Sequence, residues 1–463
     1  MSFKKKVLKG GAYLIARQGL GLFISFVGIL LLTRSIGPGN YGLFISAQEI
    51  VLYLSHLVSL GNKVYLIRRE TEPCEHEYNQ AFTLMFITSM VGLLLGIAVI
   101  PLLQQWLKNP AFIPPLLILL LTLPLTALST PAMAKLERDL NYRAVSIIEL
   151  AGQLINYIIA LTLAYYGKGV WAPVAGYMAW QVLICAGSCI MARLTPRPYW
   201  SRDIVADMLK YGISYSTSVW IWQLRPLVNP LIVGRYAGPE VVGCVALAIR
   251  FVDALSFVKN VVQRISIAVL AELQKDQLRL KEAIEKAMVF QILAFGPLLI
   301  SFSFIAPLVF PGLFGDQWNK VLLIYPFIAL SYLFNTVFNM HSSVLYVLRR
   351  NYEVTIFHTV YILLLTAGAL LLLPRFGLLG YGIAEVLTLF SYVIIHYYVR
   401  RIFPVSYKNA IPWLTSFIFL LFSAMVDLPL NLLFGVPLLI VLAKPASRQK
   451  ILDYVKFIKG SNK

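Results

Sequence analysis

Acidic residues are scarce in this chain, 21 Asp and Glu in 463 residues, and even with 40 Lys and Arg the charged fraction reaches only 13%. A soluble globular surface needs about twice that share, so a water-soluble domain is excluded. Cysteine is equally sparse. Cys74, Cys185, Cys189 and Cys244 follow no disulfide or zinc spacing, and Cys185 with Cys189 share a helix face where apolar packing accounts for them better than a metal. No Gly-rich nucleotide loop, Cys/His ligand set, paired carboxylates or Ser/His/Asp arrangement stands out. Those absences argue against an enzyme, and no cofactor or metal is expected. The first apolar run is span-length and no small-residue cleavage site follows it, so no cleaved leader is expected.

Apolar residues make up 59% of the sequence and the mean hydropathy is +0.75, the composition of a polytopic membrane protein. Segments long enough to cross the hydrocarbon core fall near 12–34, 42–62, 81–103, 112–134, 144–166 and 170–192, then near 209–234, 241–264, 287–310, 320–346, 354–374 and 378–399. Two shorter ones near 409–426 and 429–443 form a hairpin. The sequence therefore predicts an all-α protein of about 14 transmembrane helices. Its halves repeat. LKGGAYLIARQGLGLFISFVGILLLTRSIGPGNYG from Leu8 aligns without a gap with LKYGISYSTSVWIWQLRPLVNPLIVGRYAGPEVVG from Leu209, an offset of 201. Arg34, Gly37, Pro38 and Gly42 recur as Arg235, Gly238, Pro239 and Gly243. A repeat of this length means two copies of one membrane bundle. We divide the chain into an N-terminal six-helix lobe (1–208), a C-terminal six-helix lobe (209–403), the extra hairpin (404–443) and a basic tail (444–463).

The net charge of +19 is no sign of nucleic acid, because the basic residues cluster at alternate ends of the hydrophobic segments. Of the 40 Lys and Arg, 29 lie on the side that carries the N-terminus, 6 on the other and 5 within helices. The positive-inside rule then places both termini in the cytoplasm. Connections on the outer side are too short to carry a catalytic domain. The longest inner one, 265–286, contains AELQKDQLRLKEAIEKAM and reads as a polar elbow helix, with Glu282 four residues before Lys286. In the tail, Ile451, Leu452, Val455 and Ile458 form a stripe beside Lys450, Lys456 and Lys459, the pattern of a helix lying on the inner leaflet.

These stretches resemble a known family. The opening LKGGAYLIARQGL with TRSIGPGNYGLF, RDLNYRAVSIIEL at 138–150, YGKGVWAPVAGY at 166–177, LIVGRYAGPEVVG followed by LQKDQLRL, and FGDQWNKVLLIYPFIAL at 314–330 are similar to Wzx-type polysaccharide flippases. That family belongs to the multidrug/oligosaccharidyl-lipid/polysaccharide exporter superfamily, and the likeness lies with its exopolysaccharide (colanic and teichuronic acid type) branch. It covers about residues 8–402. The resemblance implies two pseudo-symmetric six-helix bundles around a central cavity, with the first and seventh helices near the cleft. It also implies alternating access that moves a polyprenyl-diphosphate-linked oligosaccharide between leaflets of a bacterial inner membrane. The partners implied are that lipid-linked glycan, membrane lipid and H+ or Na+ as coupling ion, with no nucleic acid.

Charges at bilayer depth meet that implication from the other direction. An ionisable group there costs about 2.5–3.5 kcal/mol on insertion scales and normally faces a cavity or a partner. Lys259, Arg264 and His396 lie near inner helix ends and read as anchors; Glu149 has Arg143 nearby. Arg17 in the first helix and Arg225 in the seventh have no such explanation, and Pro226 and Pro230 break the seventh helix in the manner of transporter helices. A guanidinium matches a diphosphate with bidentate geometry at any cellular pH. Arg17, Arg225, Trp222 and Asn229 are therefore the candidate substrate contacts, set against structural ion pairing for the arginines and interhelical packing for the aromatics. Glu49, Arg250 and Asp253 are the candidate gate or coupling residues. Asp253 lies three residues after Arg250, suited to pairing with it. Arg250 is also the repeat equivalent of Glu49, each seven residues past Gly243 and Gly42, about 10 Å along a helix, so the two form a candidate latch. Two rival functions are weaker. A cation-coupled small-molecule antiporter of the same superfamily calls for an acid-dominated cavity, and a membrane polysaccharide polymerase or glycosyltransferase calls for a large extramembrane domain.

Overall fold

In a computed structural model the described residues are 3–69, 73–256, 276–348, 350–427 and 429–458. Among them every regular element is helical, and nine helices are long and apolar enough to cross a membrane. Large apolar side chains point outward along them, Leu94 at 66%, Ile158 at 62% and Leu308 at 84% exposure, as a surface facing lipid tails requires. Helix packing divides the chain into two compact units, Met1–Gly243 and Cys244–Lys463.

The first unit opens with α1, Phe3–Ser59. Its apolar stretch of 43 residues would reach about 65 Å if straight, twice the hydrocarbon thickness. Gly37 resolves the excess. At φ 75°, ψ 167° it is a single non-helical residue, followed by Pro38, that joins two helices. The expected Gly-Pro turn is thus one glycine wide, a conformation a side chain would strain. Short α2, Asn62–Arg68, follows, then α3, Glu75–Leu107, α4, Ile113–Leu120, and α5, Thr122–Arg138. Next come α6, Tyr142–Tyr165, α7, Trp171–Ala192, and α8, Arg202–Trp222. The basic end of this unit is tied down by its own charges. The Arg138 guanidinium donates to the carbonyls of Leu66 (2.7 Å) and Arg69 (2.8 Å) at the end of α2, Arg69 pairs with Glu77, and Lys63 with Glu137 at 2.7 Å.

Beyond α8 the chain passes through a 3-10 turn, Arg225–Leu227, and a π turn, Asn229–Val233, into α9, Gly234–Leu255. Gly238 breaks α9 at φ 81°, ψ 174°, close to the dihedrals of Gly37 and again followed by proline. The repeat seen in the sequence is present in the backbone at this position.

In the second unit α10 runs Gln277–Phe314 and corrects one expectation. Residues 277–286 are no separate elbow but the first turns of this membrane helix, capped by the Asp276 carboxylate, which accepts from the Leu278 and Arg279 amides at 3.1 Å each. Residues 265–275, with Lys259 and Arg264, lie outside the described residues. Then follow α11, Lys320–Val347, α12, Asn351–Phe376, α13, Leu378–Leu387, a 3-10 turn Thr388–Ser391, and α14, Tyr392–Arg400. The hairpin consists of α15, Ile411–Ser423, and α16, Val436–Ala443, and the tail helix α17 is Pro445–Ile458. α15 packs on α10 through the Phe417 ring, which fills the space beside Gly296, and through Ser303 Oγ, which donates to the Leu421 carbonyl at 3.1 Å.

Candidate functional site

Two prolines determine the local geometry of the seventh membrane segment. Neither Pro226 nor Pro230 has an N–H to give to the preceding turn, so each removes a hydrogen bond from the α-helical ladder. Trp222 ends α8 and Arg225 begins the 3-10 turn. The Arg225 guanidinium carbon lies 5.8 Å from the Trp222 ring centroid, a cation–π contact that steadies a charge no proton loss can remove. Asn229 follows, buried at 5% exposure. Its amide donates to the Val242 carbonyl at 3.2 Å, which ties the break to the far side of Gly238.

The second half of α1 and the short α2 that follows it hold α8 along its length. The Trp220 indole donates to the His56 carbonyl at 2.9 Å, the Gln223 amide meets the His56 ring, and Tyr65 and Tyr211 meet edge to face at 5.9 Å. A Cβ on Gly212 would overlap the Leu60 carbonyl oxygen, and one on Gly61, at φ 66°, would lie 3.1 Å from the Gly212 Cα. At the opposite end a Cβ on Gly42 would overlap the Pro239 carbonyl oxygen and one on Gly243 the Pro38 carbonyl oxygen. Small residues here let backbones touch.

The first half of α1 faces α6 through a polar seam. Arg17, Gly21 and Ser25 are four residues apart on one stripe. Arg17 Nε lies 2.8 Å from Glu149 Oε2, an ion pair by distance that lacks hydrogen-bond alignment. The Gln153 amide donates to the Gly21 carbonyl at 2.7 Å and to Ser25 Oγ at 2.5 Å. The charge partner of Glu149 is therefore Arg17, not Arg143 as the sequence suggested by proximity. Lys63 and Glu137 lie within electrostatic reach of Glu149. The spacing of Glu149 and Gln153, four apart on an apolar helix, is the sequence signal for this seam.

Of the other sequence candidates, Glu49 is half-buried on α1 in the first unit, while Arg250 is exposed on α9 in the second. Asp253 accepts a hydrogen bond from the Tyr332 hydroxyl of α11 at 2.7 Å. The structure thus brings Arg225 to Trp222 and leaves Arg17 on a different helix pair. His56, which joins Trp220 and Gln223, is an ionisable residue within an apolar segment, and nothing else in the sequence marks it.

Against known proteins, the profile of a family described as polysaccharide biosynthesis protein matches residues 31–323. The chain belongs to that family. Similar to it is the succinoglycan biosynthesis transport protein ExoT of Rhizobium meliloti (strain 1021), 23% identical over 310 residues, 66% of this chain and 62% of that one. The chain thus spans less than two thirds of that relative's length. The lipopolysaccharide biosynthesis protein WzxC of Escherichia coli (strain K12) is 21% identical over 352 residues, 74% of this chain and 70% of that one. A solved structure of the lipid II flippase MurJ in an inward closed conformation aligns with TM-score 0.68 at 14% identity, covering 96% of this chain and 99% of that one. The family member described here therefore has the all-α polytopic fold of that transporter.

Proposed function

We propose that the protein moves a polyprenyl-diphosphate-linked oligosaccharide from the cytoplasmic to the outer leaflet of the bacterial inner membrane by alternating access, for surface polysaccharide biosynthesis, with both termini cytoplasmic. Membership of the polysaccharide biosynthesis family supplies the setting. Arg225 carries the reading: a permanent cation braced on an indole where two prolines interrupt a membrane-spanning segment. A diphosphate leaving water needs compensating charge, and an indole offers a face for sugar. Arg225 and Trp222 are the proposed direct contacts. Arg17 and Asn229 join them once the substrate displaces what they hold, Glu149 and the Val242 carbonyl. Glu49, Arg250 and Asp253 are assigned to gating or coupling, with H+ or Na+ as the ion.

Deletion of the gene followed by mass spectrometry of polyprenyl-linked glycans tests the activity. The expected result is accumulation of the lipid-linked intermediate and loss of surface polysaccharide; unchanged polysaccharide without accumulation overturns the reading. Arg225→Ala is expected to abolish export at normal protein abundance, and Arg225→Lys to restore it only partly, because a point charge cannot replace a bidentate fork. Equal export by both variants and wild type removes Arg225 from the site. The same assay in vesicles with the pH or Na+ gradient collapsed identifies the coupling ion.

A further inference from the structure

The second unit contains a cavity of about 420 Å³ that the transport reading does not use. It lies among α11, α14 and α15 and is walled by Phe338, Tyr392, Leu414 and Ile418. Its walls are preformed: Phe338 and Tyr392 stack at 4.9 Å. Two lining residues, Val393 and Ile411, are 64% and 51% exposed, so the cavity opens on the lipid-facing surface. One end is polar. There the Tyr407 hydroxyl joins His396 Nδ1 at 2.7 Å and His341 Nε2 at 2.6 Å, and burial raises the Tyr407 hydroxyl above its ordinary pKa, which keeps it protonated.

Depth and charge identify the occupant. The connection between α14 and α15 that carries Tyr407 is rich in exposed cations, and because charge at bilayer depth is costly it belongs at headgroup level. Arg400, Arg401 and Lys408 are exposed beside that polar end. Lys450 of α17 reaches the same connection, where its ammonium donates to Asn409 Oδ1 at 2.6 Å. The acidic group in this region, Glu285, is already engaged by the Ser406 amide at 2.7 Å and by Lys281. Arg401 lies over the Tyr397 ring at 4.5 Å, and an apolar slot of ligand size ending beside cations with no carboxylate partner among the described residues matches an acyl chain joined to an anionic headgroup.

We propose that this cavity is a lipid site that takes one acyl chain of an anionic phospholipid from the leaflet on the basic side, with the headgroup held by Arg400, Arg401 and Lys408. The occupant is a resident bilayer lipid rather than the polyprenyl tail of the transported substrate. Bound there, it joins the hairpin helix α15 to α11 and α14.

Native mass spectrometry of the purified full chain, titrated with phosphatidylglycerol or phosphatidylethanolamine, tests the site through binding rather than transport. One phosphatidylglycerol is expected to stay bound per chain, in preference to phosphatidylethanolamine. Val393→Trp and Ile411→Trp fill the mouth from its exposed side and should each lower occupancy about tenfold, whereas Leu439→Trp, at a 66% exposed position on α16, should leave it unchanged. Arg400→Glu with Lys408→Glu should retain a lipid but lose the headgroup preference. A phosphatidylglycerol with a photoreactive acyl chain should label α11, α14 or α15 in the unsubstituted protein, which needs no variant to fold. Unaltered occupancy in both tryptophan variants, labelling elsewhere, or displacement of phosphatidylglycerol by polyprenyl phosphate at equal concentration would overturn the proposal.

Discussion

Arg17 and Glu149 meet at 2.8 Å, yet 34% and 27% of the two side chains remain exposed, so the pair is not sealed between the helices. Misalignment of the contact weakens the case for a purely structural bond further. What the geometry favours is exchange, in which an anionic headgroup takes the guanidinium from the carboxylate. Exchange makes the two residues unequal, and that inequality is measurable. Arg17→Ala should lower export by about tenfold or more while Glu149→Gln, which removes the competitor and keeps the shape, should retain export and strengthen retention of the lipid-linked diphosphate in native mass spectrometry. A purely structural pair would instead make both variants lose abundance together, with no change in retention by the surviving protein.

At the scale of elements, the two Gly-Pro breaks do more than change the direction of α1 and α9. Gly42 and Gly243 face each other's turns, and each would overlap a proline carbonyl of the other repeat if it carried a Cβ. Backbone oxygen cannot move aside as a side-chain terminus can, so the helices must separate to admit a methyl group. Overpacking of this kind costs about 1–3 kcal/mol. Gly42→Ala and Gly243→Ala should therefore each lower the thermal midpoint of the detergent-purified protein, followed by size-exclusion chromatography after heating. Gly39→Ala, in the same turn but with nothing within 4 Å of a new Cβ, should leave it near that of the unsubstituted chain. If Gly39→Ala and Gly42→Ala fall equally, the cause is turn conformation and not backbone contact.

For the whole molecule, what the sequence made legible was what depends on neighbours along the chain. Hydropathy marked the membrane segments, and the offset of 201 put Gly238 opposite Gly37, where the backbone has the same dihedrals. Contacts between distant segments were not legible. Gln153 meets Gly21 across 132 residues, Trp220 of α8 donates to His56 of α1, and Gly212 closely approaches Leu60. For that reason the first compact unit extends to Gly243, past the point where the sequence repeat begins. The proposed orientation rests on the same local kind of information, with 29 basic residues on one side and 6 on the other. Lys and Arg resist transfer across a membrane that is negative inside, so the proposed orientation keeps the richer side in the cytoplasm. In a chain whose four natural cysteines are replaced, Lys108→Cys, Lys168→Cys and Arg375→Cys, all at exposed positions, should react with a membrane-impermeant maleimide in intact spheroplasts. Arg143→Cys, Lys286→Cys and Lys444→Cys, also exposed, should react only after the membrane is opened. Labelling in the reverse order would invert the protein in the membrane and would place the cations near Tyr407 in the outer leaflet. A mixed pattern within one set would show that a segment between the labelled positions does not cross.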